Sequence, residues 1–213
     1  MSSEAATRPP AAELALVLDC ATVRTVCGVV RDGRELAFAS AESGHAAQCA
    51  LALVDDVLAR AACDARELTR IVCGCGPGSF TGLRIGIATA RGLALGLALP
   101  CLGASTLAAL AAGAPGSLAL IDARRGELFA LGGDGEATVE QPADAVARVV
   151  PGRLCVGDGA RRYRDLLEAA GAEVPPDDDH RHAPGVAALA ALASGEAAEP
   201  VYVRRPDAEP QLA

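Results

Sequence analysis

The chain has 213 residues, of which 51% are hydrophobic and 22% charged, and its formal net charge is −8. It contains no lysine, which excludes lysine chemistry, and the 2% aromatic content and acidic balance argue against autonomous RNA binding through stacked bases. No apolar run is long enough to span a bilayer, and a chain of this length can bury a core as one domain or two small lobes.

Residues 1–13 contain polar side chains and two prolines without a hydrophobic segment, and are predicted to form a disordered tail. Most of the eight cysteines lie in or beside apolar stretches, and no C-x-x-C pair occurs. We therefore expect free thiols in a reducing compartment, the cytoplasm, rather than a disulfide framework.

An antiparallel meander is predicted to follow, with strands at residues 14–18, 25–30 and 35–40. Asp19 ends the first strand, where a carboxylate serves either as a metal ligand or as a turn cap. The turn cap is favoured, because the stretch 20–25 has no glycine that would let a phosphate approach the backbone closely.

Residues 45–62 are predicted to form a helix, because Leu51, Val54 and Leu58 follow helical spacing. His45 and Cys49 are four residues apart, which is a spacing found among metal ligands. No further ligand accompanies this pair in the sequence, so a capping or surface histidine is the favoured interpretation.

A second helix is predicted at residues 82–99, after a strand at 71–73 and a turn at 74–78, with Ser79 or Thr81 as its N-cap. Four glycines lie inside this helix, and each costs about 1 kcal/mol relative to alanine. Their face consists of Gly82, Ile85, Gly86, Thr89, Gly92, Leu93 and Gly96. Close approach by another element would explain the glycines, and the residues alone leave open whether that element is internal or a partner.

The turn at 74–78 lacks the residues of the known nucleotide-binding and nucleophile motifs. A P-loop requires a lysine, Ser79 stands where a dinucleotide fingerprint needs its third glycine, and Pro77 replaces the first glycine of a nucleophile elbow. Two interpretations remain: backbone N–H groups that hold an anion at the helix start, or a turn that only lets strand and helix pack closely.

The second half of the chain is predicted to form another α/β lobe after a short helix at 105–112 and a hinge at 113–116. We expect strands at 118–121, 127–131 and 154–156, helices at 142–150, 161–170 and 184–194, and an extended segment at 200–204. Asp122 ends its strand as Asp19 does, which suggests two degenerate copies of one unit. The polar stretch 175–182 is interpreted as a solvated loop rather than a metal site.

The sequence GPGSFTGLRIGIATARGLALG at residues 76–96 resembles the signature of the TsaB (YeaZ) family, the non-catalytic partner in bacterial tRNA threonylcarbamoyladenosine (t6A) modification. The resemblance continues through residues 105–110, 122–130 and 200–205, and so spans most of the chain after residue 13. It implies an α/β, actin-like ATPase (ASKHA, ribonuclease H-like) fold with two small mixed lobes and a degenerate nucleotide site. The implied domains are a tail at 1–13, an N-terminal lobe with partner-binding helices at 14–113 and a smaller C-terminal lobe at 114–213.

The resemblance also implies a function. The chain would be a scaffold or activator subunit that binds the catalytic TsaD subunit, which forms N6-threonylcarbamoyladenosine at position 37 of tRNAs reading ANN codons. The ATPase TsaE is a further implied partner, and tRNA would meet the chain only through the complex. In the absence of these partners, the chain would pair with a second copy of itself. The chain alone is expected to bind no cofactor. Binding of ATP or ADP at the interface with the partner stays open.

Two groups of site residues follow from the resemblance. The TsaD interface would use Leu51, Val54, Leu58, Gly82, Ile85, Gly86, Thr89 and Leu93. Anion or nucleotide contacts would come from Asp19, Thr22, Gly76, Gly78 and Ser79, although Cys20 departs from the usual Asp-Thr-Ser/Ala-Thr pattern of the family. No catalytic residue and no metal ligand is assigned.

Enzymatic alternatives are an actin-like ATPase or kinase, the catalytic threonylcarbamoyltransferase itself, and a metallopeptidase. The chain has three histidines, and none forms an H-x-x-x-H or H-E-x-x-H set, which argues against the last two. The missing glycine hairpin after Asp19 and the lack of a base argue against a kinase.

Overall fold

Two β-sheets covered by helices make up the part of the chain that the structure describes. The computed structural model describes residues 13–42, 46–133, 135–193 and 198–201. The predicted tail up to residue 12, the helix start at His45 and residues 202–204 of the predicted extended segment lie outside the described residues.

The first sheet has five strands in the order β3-β2-β1-β4-β5. They are β1 (Leu14–Asp19), β2 (Arg24–Arg31), β3 (Arg34–Glu42), β4 (Arg70–Gly74) and β5 (Cys101–Ala104). The first three form the predicted antiparallel meander, whereas β4 and β5 run parallel to β1 because helical crossovers connect them. Every residue of β1 is buried, as expected for a central strand covered on both faces.

Helices α1 (Ala46–Arg60) and α2 (Phe80–Leu97) cover one face of the first sheet. Val57 of α1 and Ile87 of α2 share a core with Leu16 and Leu18 of β1. The side chains of alternate β1 residues point to the other face. Helix α3 (Thr106–Ala112) follows β5 and lies between the two sheets.

The second sheet has four strands in the order β8-β7-β6-β9. They are β6 (Leu118–Arg124), β7 (Glu127–Gly132), β8 (Thr138–Glu140) and β9 (Cys155–Val156), accompanied by α4 (Pro142–Ala147), α5 (Asp158–Arg162) and α6 (Arg164–Ala169). Leu118, Leu120 and Leu128 form the core of this lobe together with Leu167 of α6.

The last described helix, α7 (Val186–Leu192), packs on the first sheet rather than on the second. Its residues Val186 and Leu189 are fully buried beside Ala15 and Val17 of β1. The predicted boundary at residues 113–114 stays a prediction, but one helix of the segment 114–213 belongs to the core of the first lobe.

The structure differs from the predicted elements at three places. Strands β5 and β8 were not predicted, because they have four and three residues and show no clear alternation. The helix predicted at 161–170 is instead two short helices that meet at Tyr163, whose φ of −111° is not helical. Among the described residues, no helix combines the length and hydropathy needed to cross a bilayer.

Candidate functional site

A cleft of about 380 Å³ opens where the two lobes meet. Its walls are the loop 20–23 after β1, the first turn of α2, the end of β6 and the start of α5, with Glu42 at the rim. The polar side chains that line it include Thr22, Glu42, Asp122, Arg124 and Asp158. Three of these five are carboxylates, so the cleft is acidic unless their charges are paired.

Asp19 lies behind the cleft and is fully buried. Its carboxylate accepts a 2.6 Å hydrogen bond from the Thr106 hydroxyl and a 2.7 Å hydrogen bond from the Ala21 N–H. The Thr106 hydroxyl oxygen accepts a further hydrogen bond from the Gly76 N–H at 3.0 Å. Burial raises the pKa of Asp19 to about 6, although these hydrogen bonds oppose the shift. The carboxylate therefore ties together β1, the Gly-Pro-Gly turn and α3.

The chain's own carbonyl groups occupy the start of α2. Ser79 is the N-cap, as predicted, and its side chain accepts the Gly82 N–H at 3.3 Å. The Ser79 N–H donates to the Ala21 carbonyl at 2.6 Å, and the Cys20 carbonyl lies so close to Gly82 that a Cβ there would collide with it. Gly78 is held against Ala21 in the same way.

The five predicted anion contacts thus lie together, but several of their polar groups are hydrogen-bonded within the chain. The Gly76 and Ser79 N–H groups have the internal acceptors described above, and the Thr22 hydroxyl donates to the Arg24 carbonyl at 2.9 Å. Their role toward an anion or a nucleotide stays a prediction.

The carboxylates of the cleft also have partners within the chain: Asp122 and Glu42 form ion pairs, and Asp158 accepts backbone N–H groups. Asp158 is buried, and it accepts the Asp122 N–H at 2.9 Å and the Val23 N–H at 3.1 Å. Burial raises its pKa. The Asp122 carboxylate binds the Arg162 guanidinium at 2.9 Å.

Glu42 forms ion pairs with Arg161 at 2.7 Å and with Arg24 at 3.0 Å. Hydrogen bonds from these two guanidinium groups, that of Arg161 first, lower the pKa of the Glu42 carboxyl. Arg161 belongs to α5 of the second lobe and Arg24 to β2 of the first, so Glu42 connects the lobes.

The predicted partner-binding residues lie on the adjacent helices α1 and α2. Leu51 is 55% exposed, and Leu58, Ile85, Thr89 and Leu93 are partly buried. These five residues belong to an apolar surface on α1 and α2 that the described residues leave uncovered.

Three predicted interface residues are buried instead. Val54 packs in the core beneath α1, and Gly82 and Gly86 face Cys20 at the end of β1. The expectation that a partner helix packs against these two glycines is wrong, because the chain's own loop 20–23 packs there through Cys20. Gly92 and Gly96, in contrast, have open space where a Cβ would stand.

Two exposed residues of α2 were missed. Leu95 is 85% exposed, and Phe80 is 56% exposed with the Arg84 guanidinium 3.8 Å from its ring centre. A signal for Leu95 was present in the sequence, because helical spacing places it on the same side of α2 as the charged residues Arg84 and Arg91, which favour solvent.

The other candidate ligands have structural roles. His182 is buried, with its ring nitrogens 3.1 Å from the Gly157 backbone and 3.0 Å from the Pro175 carbonyl. Asp177 pairs with Arg164. Within the described ranges, no three His, Cys, Asp or Glu side chains are placed to hold a metal ion. All eight cysteines are free thiols, and burial raises the pKa of Cys20 and of Cys27 to about 12.

The sequence and the fold are similar to those of known proteins. A family model described as TsaD, tRNA N6-adenosine threonylcarbamoyltransferase, matches residues 40–160. An uncharacterised protein of Mycobacterium tuberculosis is 35% identical over 202 residues, covering 92% of this chain and 93% of that protein.

Two further relatives carry informative names. The tRNA threonylcarbamoyladenosine biosynthesis protein TsaB of Escherichia coli is 39% identical over 120 residues, covering 54% of this chain and 52% of TsaB. The structure of YeaZ from Pseudomonas aeruginosa matches with a TM-score of 0.68 and 28% identity, covering 89% of this chain and 99% of YeaZ.

Proposed function

The chain belongs to the TsaB (YeaZ) family of tRNA threonylcarbamoyladenosine biosynthesis proteins, and on that premise we propose that it is a non-catalytic subunit that binds and activates a TsaD-type transferase. Its two mixed α/β lobes have the actin-like ATPase (ASKHA) fold expected from the resemblance. In this proposal TsaD modifies adenosine 37 in the cytoplasm, TsaE is a further partner, and tRNA meets this chain only through the complex.

The observation that carries the proposal is the apolar surface of α1 and α2 that residues 13–42, 46–133, 135–193 and 198–201 leave uncovered, which we call the α1–α2 face. It comprises Leu51, Leu58, Ile85, Ala88, Thr89, Gly92, Leu93 and Leu95, all at least partly exposed. Small residues at positions 88 and 92 let another helix approach closely, and Leu51 and Leu95 supply apolar area. Exposed apolar side chains on two adjacent helices are typical of a protein interface.

The burial of Asp19 favours a structural role over catalysis. Asp19 is buried behind the cleft with its oxygens hydrogen-bonded to Thr106 and Ala21, whereas a metal-assisted phosphoryl transfer needs an accessible carboxylate. This supports the scaffold over the ATPase alternative.

The test is the affinity of the purified chain for TsaD, measured by calorimetry. Leu95→Asp places a charge in the α1–α2 face, and we expect the affinity to fall at least about tenfold, because a desolvated unpaired charge costs several kcal/mol. Leu166→Asp is the matched control, since Leu166 is 45% exposed on α6 of the second lobe.

The same variants test the pathway role in cells that lack the native gene. Wild-type chain and Leu166→Asp should restore t6A in digested tRNA, as measured by mass spectrometry, and Leu95→Asp should restore less. Normal binding and normal t6A with Leu95→Asp would contradict the assignment of the α1–α2 face. Failure of the wild-type chain to bind TsaD would contradict the proposed function.

A further inference from the structure

The buried carboxylate of Asp158, the first residue of α5, contacts both lobes. One oxygen accepts the Asp122 N–H of the second lobe at 2.9 Å, and the other accepts the Val23 N–H of the first lobe at 3.1 Å. Hydrogen bonds to a charged acceptor are among the stronger ones in proteins, and a buried partner left alone is costly. The loop 20–23 is therefore held firmly to α5.

The other side of this loop supports the start of α2. The Ala21 carbonyl accepts the Ser79 N–H at 2.6 Å, and the Cys20 carbonyl packs against Gly82. The loop is thus enclosed between Asp158 and the first turn of α2. A shift of the second lobe that pulls Val23 therefore acts on the loop whose Ala21 carbonyl accepts the Ser79 N–H.

A second connection to the first lobe leaves from the same short helix. Arg161, one turn after Asp158, binds Glu42 at 2.7 Å, and Glu42 also binds Arg24. The side chains of Arg161 and Arg24 are 20% and 14% exposed, whereas that of Glu42 is 48% exposed, so water screens this network in part. Glu42 ends β3, and α1 begins at Ala46.

We propose that α5 acts as an interlobe clasp, defined by the contacts of Asp158 with Val23 and of Arg161 with Glu42. The clasp holds the two lobes in one arrangement around the cleft and fixes the first turn of α2. Opening the clasp therefore loosens one end of the α1–α2 face, so that lobe movement regulates partner affinity from outside the contact surface. The link to partner affinity rests on the proposed function, whereas the clasp itself does not.

Amide hydrogen exchange of the free chain tests the clasp directly. Glu42→Gln removes the charge that pairs with Arg161, and we expect the Val23 and Ser79 amides to exchange about fivefold faster. Asp158→Asn replaces an acceptor oxygen by an NH₂ group, and the same two amides should exchange about tenfold faster or more. Arg148→Gln is the control, because its 3.1 Å ion pair with Glu140 lies within the second lobe.

The proposal is overturned if Glu42→Gln leaves both amides at the wild-type rate. It is equally overturned if the Arg148→Gln control accelerates them as much. Should Asp158→Asn fail to fold, Glu42→Gln decides the question alone, because the Glu42 side chain is 48% exposed and glutamine keeps its shape while removing its charge.

The regulatory part is tested by calorimetry with TsaD. Glu42→Gln should weaken binding about threefold to fivefold, although Glu42 is not part of the α1–α2 face. Faster Val23 exchange with unchanged TsaD affinity would overturn the coupling. If the wild-type chain does not bind TsaD, the proposed function fails, and the exchange results still decide the clasp.

Discussion

The hydroxyl group of Thr106 donates a 2.6 Å hydrogen bond to the Asp19 carboxylate and accepts one from the Gly76 N–H at 3.0 Å. The Thr106 side chain thus satisfies two buried polar groups, the Asp19 carboxylate and the Gly76 N–H, which lie 57 positions apart in the chain. These two hydrogen bonds position the Gly-Pro-Gly turn of the family signature.

Replacing Thr106 by valine should destabilise the fold. Valine has the same shape but removes one of the two donors to the buried Asp19 carboxylate, leaving only the Ala21 N–H, and it leaves the Gly76 N–H without this acceptor. The cost should be about 1–3 kcal/mol. Urea unfolding measures the loss. Thr106→Ser keeps the hydroxyl and should retain most of the stability, and equal losses for both variants would assign the effect to packing instead.

Alanine substitution should change the stability of the fold in opposite directions at two glycines of α2, Gly82 and Gly92. At Gly82 a Cβ would collide with the Cys20 carbonyl, so Gly82→Ala should cost about 1–3 kcal/mol as overpacking does. At Gly92 the space is open, and alanine should stabilise the helix by up to about 1 kcal/mol. Thermal unfolding of the free variants decides, and equal effects would mean that Gly82 is not closely packed.

Folding stability should depend on pH through Asp19. Its folded pKa of about 6 lies above the ordinary carboxyl value, so the folded state binds the proton more tightly than the unfolded state. This stabilisation is present below about pH 4 and is lost as the pH rises through about 6, by about 3 kcal/mol at most.

Asp19→Asn removes this ionisation and serves as the comparison for that pH dependence. The stability of wild type relative to Asp19→Asn should increase as the pH falls from 7 to 4. The ion-paired carboxyls, Glu42 among them, have lowered pKa values and act in the opposite sense in both proteins, so the difference isolates Asp19. A constant difference over this range would contradict a raised pKa.

We expect the free chain to dimerise through the α1–α2 face and to exchange this contact for TsaD. Leu95 is 85% exposed, and its burial in both copies contributes about 1.5–3 kcal/mol each. Leu95→Asp should therefore yield a monomer in light scattering at concentrations where Leu166→Asp remains dimeric. A wild-type monomer at high concentration would contradict the dimer without affecting TsaD binding.

Local patterns in the sequence were sufficient for much of the fold. Apolar runs and turn residues predicted the β1–β2–β3 meander, helical spacing predicted α1, and Ser79 was one of two predicted N-caps. These features depend on neighbours within a few residues, where spacing and turn chemistry are reliable guides.

What could not be predicted depends on distant contacts. The glycines of α2 indicated a close approach, but only the tertiary structure shows that Cys20 makes it at Gly82 and Gly86 while Gly92 stays open. The clasp joins Val23 to Asp158 across 135 positions, and the interlobe role of Glu42 depends on Arg161. No short-range pattern encodes such pairs.

The return of α7 to the first sheet has a consequence for synthesis on the ribosome. Val186 and Leu189 cover Ala15 and Val17, so the part of the first sheet beneath α7 stays open until residues 186–192 have been made. The second lobe can form its own core before α7 is made, since Leu118, Leu128 and Leu167 all precede α7 in the sequence. The first lobe to be translated is therefore the last to be completed, and we expect ribosome-stalled chains that end before residue 183 to recruit chaperones through that uncovered side.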